Sequence, residues 1–142
     1  MTLIDANLLL YAYNPSFPRH TAARQWLEET FSRPEPVRLA WVIILAFLRI
    51  GTSPRAFEHP LSIEEATAIV SQWLSLPHVA LLQPGDRHWE ILSAILPDAQ
   101  VRGALVSDAH IAALALEHGA TLSSTDRDFV RFRGLRVVNP LA

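Results

Sequence analysis

Short, uniformly apolar runs alternate along this chain with longer stretches in which apolar residues return every third or fourth position. The first pattern is that of buried strands and the second that of helices packed by one face. Thr2-Leu3-Ile4-Asp5 reads as a buried strand ending at a carboxylate, and Asn7 to Tyr13 as a helix stopped by Asn14-Pro15. His20 to Phe31 places Ala23, Trp26, Leu27 and Phe31 on one helical face. Leu39 to Val42 reads equally as a brief strand or as a helix lead-in, and the run to Ile50 is helical and closed by Gly51. Ser62 followed by Glu65 is a capping box for a helix that buries Ala66, Ile69, Val70, Trp73 and Leu74. Val79 to Leu82 is a strand, and Asp86 to Leu96 a helix with Asp86 as its cap. Ala104 to Val106 reads as a further strand. Ser107 then caps a helix from Asp108 to His118, and Gly119 stops it. Ala120 to Ser123 and Leu135 to Val138 complete the set of strands.

Strands alternating with helices imply an α/β sandwich around a mainly parallel sheet. The 142 residues suit one domain, and an apolar content of 50% suffices for a core. The Pro34–Pro36 and Ser53–Pro60 segments are loop-sized, and there is no internal repeat. No cysteine is present, which removes disulfides, thiol nucleophiles and thiolate metal sites and fits a cytoplasmic protein. The longest apolar run, Leu39 to Leu48, is too short to span a membrane, and no signal peptide is expected. All twelve basic residues are arginine, which excludes chemistry that needs a lysine, such as a P-loop ATPase or a Schiff base. With a net charge of −2, any nucleic acid must be held by a local patch.

In parallel sheets, sites form outside the carboxyl ends of the strands. Asp5, Asp108 and Asp126 all follow expected strands, with Asp128 two residues further on. Converging carboxylates repel unless protons or a cation neutralise them. A hard divalent cation such as magnesium does so through oxygen ligands, acidifies a water and offsets charge on a phosphate. That is the chemistry of phosphodiester hydrolysis. Taken singly, each acid has an ordinary reading. Asp5 can cap the first helix, Asp108 suits a helix N-terminus, and Asp126 and Asp128 lie in a polar loop.

Three segments carry a resemblance. Leu3-Ile4-Asp5-Ala6-Asn7-Leu8-Leu9, Ser107-Asp108-Ala109-His110-Ile111-Ala112-Ala113-Leu114-Ala115 and Leu122-Ser123-Ser124-Thr125-Asp126-Arg127-Asp128-Phe129 resemble, in order, the first, third and fourth motifs of PIN domains. Trp41 to Arg49 followed by Pro60-Leu61-Ser62 is similar to the VapC toxins abundant in mycobacteria. The resemblance implies a PIN-like three-layer sandwich spanning residues 1–142 and an endoribonuclease dependent on Mg²⁺ or Mn²⁺. It also implies a homodimer neutralised by a VapB-like antitoxin. It makes Asp5, Asp108 and Asp126 metal-site acids, with Asp128 an alternative ligand. Asn7 matches a polar residue that can orient Asp5, and Thr125 is a candidate hydroxyl near metal or phosphate, or equally a hydroxyl that caps its loop.

Arg127, Arg131, Arg133 and Arg136 cluster beyond Asp126. The first three are candidate RNA contacts, because a guanidinium forks onto phosphate; a solvated face is the ordinary reading. The helices from His20 to Ile50 are apolar enough to receive an antitoxin, and most tryptophans are expected in the core. One departure stands out. Many PIN domains carry a glutamate where this chain has Ala46, and no acid lies between Glu35 and Glu58. Fewer carboxylates weaken metal binding and favour one metal over two, and they leave open a PIN scaffold that binds RNA or a partner without cutting. A haloacid-dehalogenase-like phosphatase fits poorly, since position 7 is asparagine and lysine is absent.

Overall fold

Leu3 and Ile4 are adjacent in a strand, so they face opposite sides of the sheet, yet both are fully buried. The sheet is therefore covered on both faces, which makes the three-layer sandwich anticipated from the sequence. A computed structural model describes all residues from Met1 to Ala142. Five strands, β1 (Thr2–Ile4), β2 (Val37–Leu39), β3 (Val79–Leu81), β4 (Thr121–Ser123) and β5 (Val137–Val138), form one sheet in the order β3-β2-β1-β4-β5. Every pairing is parallel. Six helices flank it: α1 (Ala6–Tyr13), α2 (His20–Ser32), α3 (Trp41–Gly51), α4 (Ile63–Ser75), α5 (His88–Asp98) and α6 (Leu105–His118). A 3₁₀ turn spans Arg127–Arg131.

The strand order reverses between β1 and β4. In this class of sheet a crevice opens at such a reversal. The register pairs Ile4 with Ser123, and the Asp5 N–H continues the ladder by donating to the Ser123 carbonyl at 3.0 Å. The residue after β1 therefore stands beside the residue after β4.

One hydrophobic cluster runs from Leu3 to Phe132. An aromatic group lies within it: Phe47 on α3 meets Trp73 on α4 edge-on with ring centroids 4.7 Å apart. The Trp73 indole N–H donates to the Tyr13 hydroxyl at 3.0 Å, so its one polar atom is satisfied inside the core. Ser62 and Glu65 form the expected capping box of α4. Gly119 ends α6 at φ 68°, the left-handed conformation that glycine adopts without strain.

Several expectations need correction. Ala104 to Val106 is not a strand: Ala104 is the N-cap of α6, and Leu105 and Val106 are its first residues. Val106 is 45% exposed and a turn at Gly103 precedes the helix, so this apolar triplet begins a helix and does not enter the sheet. Short apolar runs do not distinguish the two states. Ser107 consequently lies inside the first turn and is not the cap. Asp86 does not cap α5, whose N-cap is Arg87 without a side-chain bond. The N–H groups of Gly85 and Arg87 donate instead to Glu117 on α6, at 2.8 and 3.0 Å. The ambiguous segment at Leu39 divides cleanly, with β2 ending there and α3 starting at Trp41. Of the four tryptophans only Trp73 is fully buried; Trp41 and Trp89 are exposed.

Phe47→Ala removes a fully buried ring that packs on both Tyr13 and Trp73 and should lower unfolding free energy by about 3–5 kcal/mol in urea titrations. Leu45→Ala, two residues away on the exposed side of α3, should change it by no more than about 0.5 kcal/mol.

Candidate active site

The chain leaves β1 at Asp5 and turns directly into α1. Asp5 is 8% exposed and caps that helix, accepting from the Ala6 N–H at 2.8 Å. Its second oxygen accepts from the buried Ser124 hydroxyl at 2.6 Å. The same Ser124 oxygen accepts from the Asp126 N–H at 3.0 Å. One serine thus fastens the end of β1 to the loop after β4. Ser124 is not among the residues expected from the sequence, although its signal is there: a hydroxyl two residues ahead of an aspartate, the spacing of a serine turn.

Asp126 caps the 3₁₀ turn by accepting from the Asp128 N–H at 2.9 Å. That turn brings Asp128 back toward α6, where Asp108 sits one turn from the helix start. Carboxylate oxygens of Asp108, Asp126 and Asp128 all lie within 4.8 Å of one another. The tight trio is therefore Asp108–Asp126–Asp128. Asp5 lines the adjoining cleft with Asp108, Ser107, Ile111 and the α3 residues Val42, Leu45, Ala46 and Arg49. Asn7, expected to orient Asp5, instead donates to the Thr125 hydroxyl at 2.8 Å. Ser124 and the Ala6 N–H do the work assigned to it.

The electrostatics follow from this crowding. Burial and the charges of Asp126, Asp5 and Asp128 push the Asp108 carboxyl up to about 6, against the smaller opposing pull of Arg131. The positive end of α6 does not outweigh them. Burial also raises Asp5, partly offset by its bonds from Ser124 and Ala6. Arg131 stands 3.9 Å from Asp128 and also donates to the Ala99 carbonyl, while Arg133 pairs with Asp98 at 3.6 Å. Arg136 donates to the Gly119 carbonyl. Arg127 has no such partner. The trio offers hard carboxylate oxygens, donors that suit a hard divalent cation over a soft metal.

A parallel sheet with aspartates gathered at its carboxyl edge and strand-order reversal defines the class. The family model for the PIN domain matches residues 2–135, and the chain belongs to that family. Ribonuclease VapC37 of Mycobacterium tuberculosis is 42% identical over 142 residues, covering 100% of this chain and 99% of the relative. Within the PIN domains the chain accordingly falls among the VapC ribonucleases. Two solved structures share the fold at a TM-score of 0.68. One is VapBC2 from Rickettsia felis bound to a promoter DNA fragment, 15% identical with 97% of each chain covered. The other is VapC20 of Mycobacterium tuberculosis, a Sarcin-Ricin loop cleaving toxin, 19% identical with 96% of this chain and 99% of that chain covered. No helix is long and apolar enough to cross a membrane.

A carboxyl raised from 3.8 to about 6 by folding costs stability once it ionises. Below pH 4 it is protonated in both states and costs nothing. Between pH 4 and 6 only the unfolded chain gives up its proton, so the folded state loses ground as pH rises. Above 6 the penalty is complete and constant. Asp108→Asn should therefore match the metal-free wild type in Tm near pH 4. It should exceed the wild type by a margin that grows to pH 6 and then levels, in scanning calorimetry with EDTA present.

Proposed function

We propose that this chain is a divalent-metal-dependent endoribonuclease and the toxin of a VapBC-type pair. The observation that carries the reading is the meeting of Asp108, Asp126 and Asp128 carboxylates within 4.8 Å beside the buried Asp5. Asp108, Asp126 and Asp128 would hold Mg²⁺ or Mn²⁺, with Asp5 completing the acidic wall. When bound, the cation offsets this negative charge and polarises a phosphodiester. Ser124 keeps Asp5 and the Asp126 loop in register. Thr125 accepts from Asn7, which leaves its hydroxyl proton free to donate to a substrate oxygen. Arg127, free of ion pairs, is available to the strand. Hydrolysis by attack of water leaves a 5′-phosphate.

The partner follows from the same family reading. A neighbour of the same fold from Klebsiella pneumoniae is a toxin–antitoxin complex, and this chain offers a cavity of about 360 Å³ lined by the apolar Tyr13, Leu27, Phe31, Trp73 and Leu76 together with Arg24, Glu28, Ser32 and Gln72. An apolar antitoxin segment suits it. A homodimer is part of the same proposal.

Purified protein should cut RNA with Mg²⁺ or Mn²⁺ and stop in EDTA. Asp126→Asn should lower kcat by roughly 100-fold or more, and Asp5→Asn should abolish cutting, with circular dichroism confirming that each variant folds. Cleavage that survives EDTA or these substitutions refutes the reading.

A second reading, an RNA- or partner-binding module without catalysis, is favoured by Ala46. This residue lies on the cleft wall with Asp5 and Asp108, and α3 adds no acid to them. Under it the wild type is inert, and Ala46→Glu tightens Mn²⁺ binding in calorimetric titrations. Strong cleavage by the wild type rules it out.

A further inference from the structure

Around the acidic cleft the arginines divide into two kinds. Arg131 and Arg133 face acids, Asp128 and Asp98, and Arg136 is bonded to a backbone carbonyl. Arg127 and Arg49 are the unpaired ones, and of the two only Arg49 lines the cleft with Asp5 and Asp108. It lies on α3, is exposed, and its side chain takes part in no hydrogen bond or salt bridge. It stands three residues after Ala46, which lines the same wall. With alanine at position 46, that wall presents a guanidinium and no carboxylate from α3.

An exposed, unpaired arginine on the wall of a cleft that holds Asp5 and Asp108 is free to take an anion. The aspartates leave it free, since Arg49 pairs with none of them. A polyanionic strand entering the cleft would bring its phosphates past this side chain, and the planar fork of arginine matches two phosphate oxygens at once. Leu45, one turn back on α3, is 59% exposed and lines the cleft, offering an apolar contact beside the guanidinium. We propose that Arg49 is a substrate-positioning residue that grips a backbone phosphate next to the scissile bond, so that α3 supplies the cationic wall opposite the acidic one. This rests on the ribonuclease reading above and assigns the strand's path through that site.

The test compares Arg49→Ala and Arg49→Lys with the wild type and with Arg87→Ala. Arg87 is an exposed arginine paired with Glu90 outside the cleft, so the control removes the same charge. Steady-state cleavage of a labelled single-stranded RNA of mixed sequence is followed from low to moderate salt. Binding of the same RNA is followed by fluorescence anisotropy in an Asp126→Asn background. Arg49→Ala should raise KM roughly tenfold, the loss of one charge-assisted contact, while kcat stays within about twofold. The slope of log affinity against log salt should shrink by about 0.7, the contribution of one phosphate on a single strand. Arg49→Lys should recover part of the affinity, since it keeps the charge and loses the fork. Arg87→Ala should match the wild type in both readouts. Unchanged KM and salt slope in Arg49→Ala overturn the inference, as does a loss confined to kcat. A shift in oligomeric state by light scattering without a change in RNA affinity also overturns it and assigns the face to protein contact. Absence of cleavage by the wild type with either metal defeats the ribonuclease reading instead. The anisotropy measurement still decides the role of Arg49 in that case.

Discussion

Negative charge is crowded at the carboxyl ends of β1 and β4, and much of the architecture can be understood as what keeps it there. Four aspartates from three separate parts of the chain converge on one side of the sheet, and Asp108 is pushed toward neutrality first by its own burial and then by the other three. Such an arrangement is unfavourable by itself and persists only where rigid elements over-determine it. The parallel ladder between β1 and β4 supplies the rigidity, and the Ser124 hydroxyl supplies the joint. The strain concentrates where a cation or a protonated carboxyl relieves it, which is how catalytic sites are commonly poised.

Much of this was legible in the sequence, for identifiable reasons. Elements of strong period, such as α2 and α4, announce themselves because a buried face constrains every third or fourth residue. Asp5 and Asp126 were legible because each follows a strand, whereas Asp108 was legible only through the motif around it, since the strand expected before it is the start of α6. What escaped depended on contacts across long separations. Ala104 to Val106 looks the same whether it pairs in a sheet or begins a helix, and only the completed strand order leaves it no partner. Asp86 has the chemistry of a cap, yet the role falls to Glu117, some thirty residues later, through a contact that no local spacing encodes. Likewise the closest carboxylates are Asp108, Asp126 and Asp128, with Asp5 set to one side. The 3₁₀ turn that folds Asp128 back is too short to leave a periodic signal.

The tryptophans show the same limit from another side. Large apolar residues are usually interior, and Trp73 obeys. Trp41 and Trp89 stay at the surface, Trp41 at the start of α3 and Trp89 in the first turn of α5. Composition gives the number of such residues, whereas topology decides which of them finds cover.

The junction between α5 and α6 has a further consequence. Gly85 leaves its approach to α5 open, and any β-carbon built there would collide with the Glu117 carboxylate. That carboxylate is the sole side-chain acceptor for the backbone leading into α5, since Arg87 offers no cap of its own. The carboxylate is the far end of a flexible side chain, so a larger residue at position 85 pushes it aside, and what is lost is the shared acceptor of the Gly85 and Arg87 N–H groups. The glycine thus keeps room for the grip of α6 on the start of α5, and engineering that treats this loop as freely replaceable surface loosens the joint between two helices.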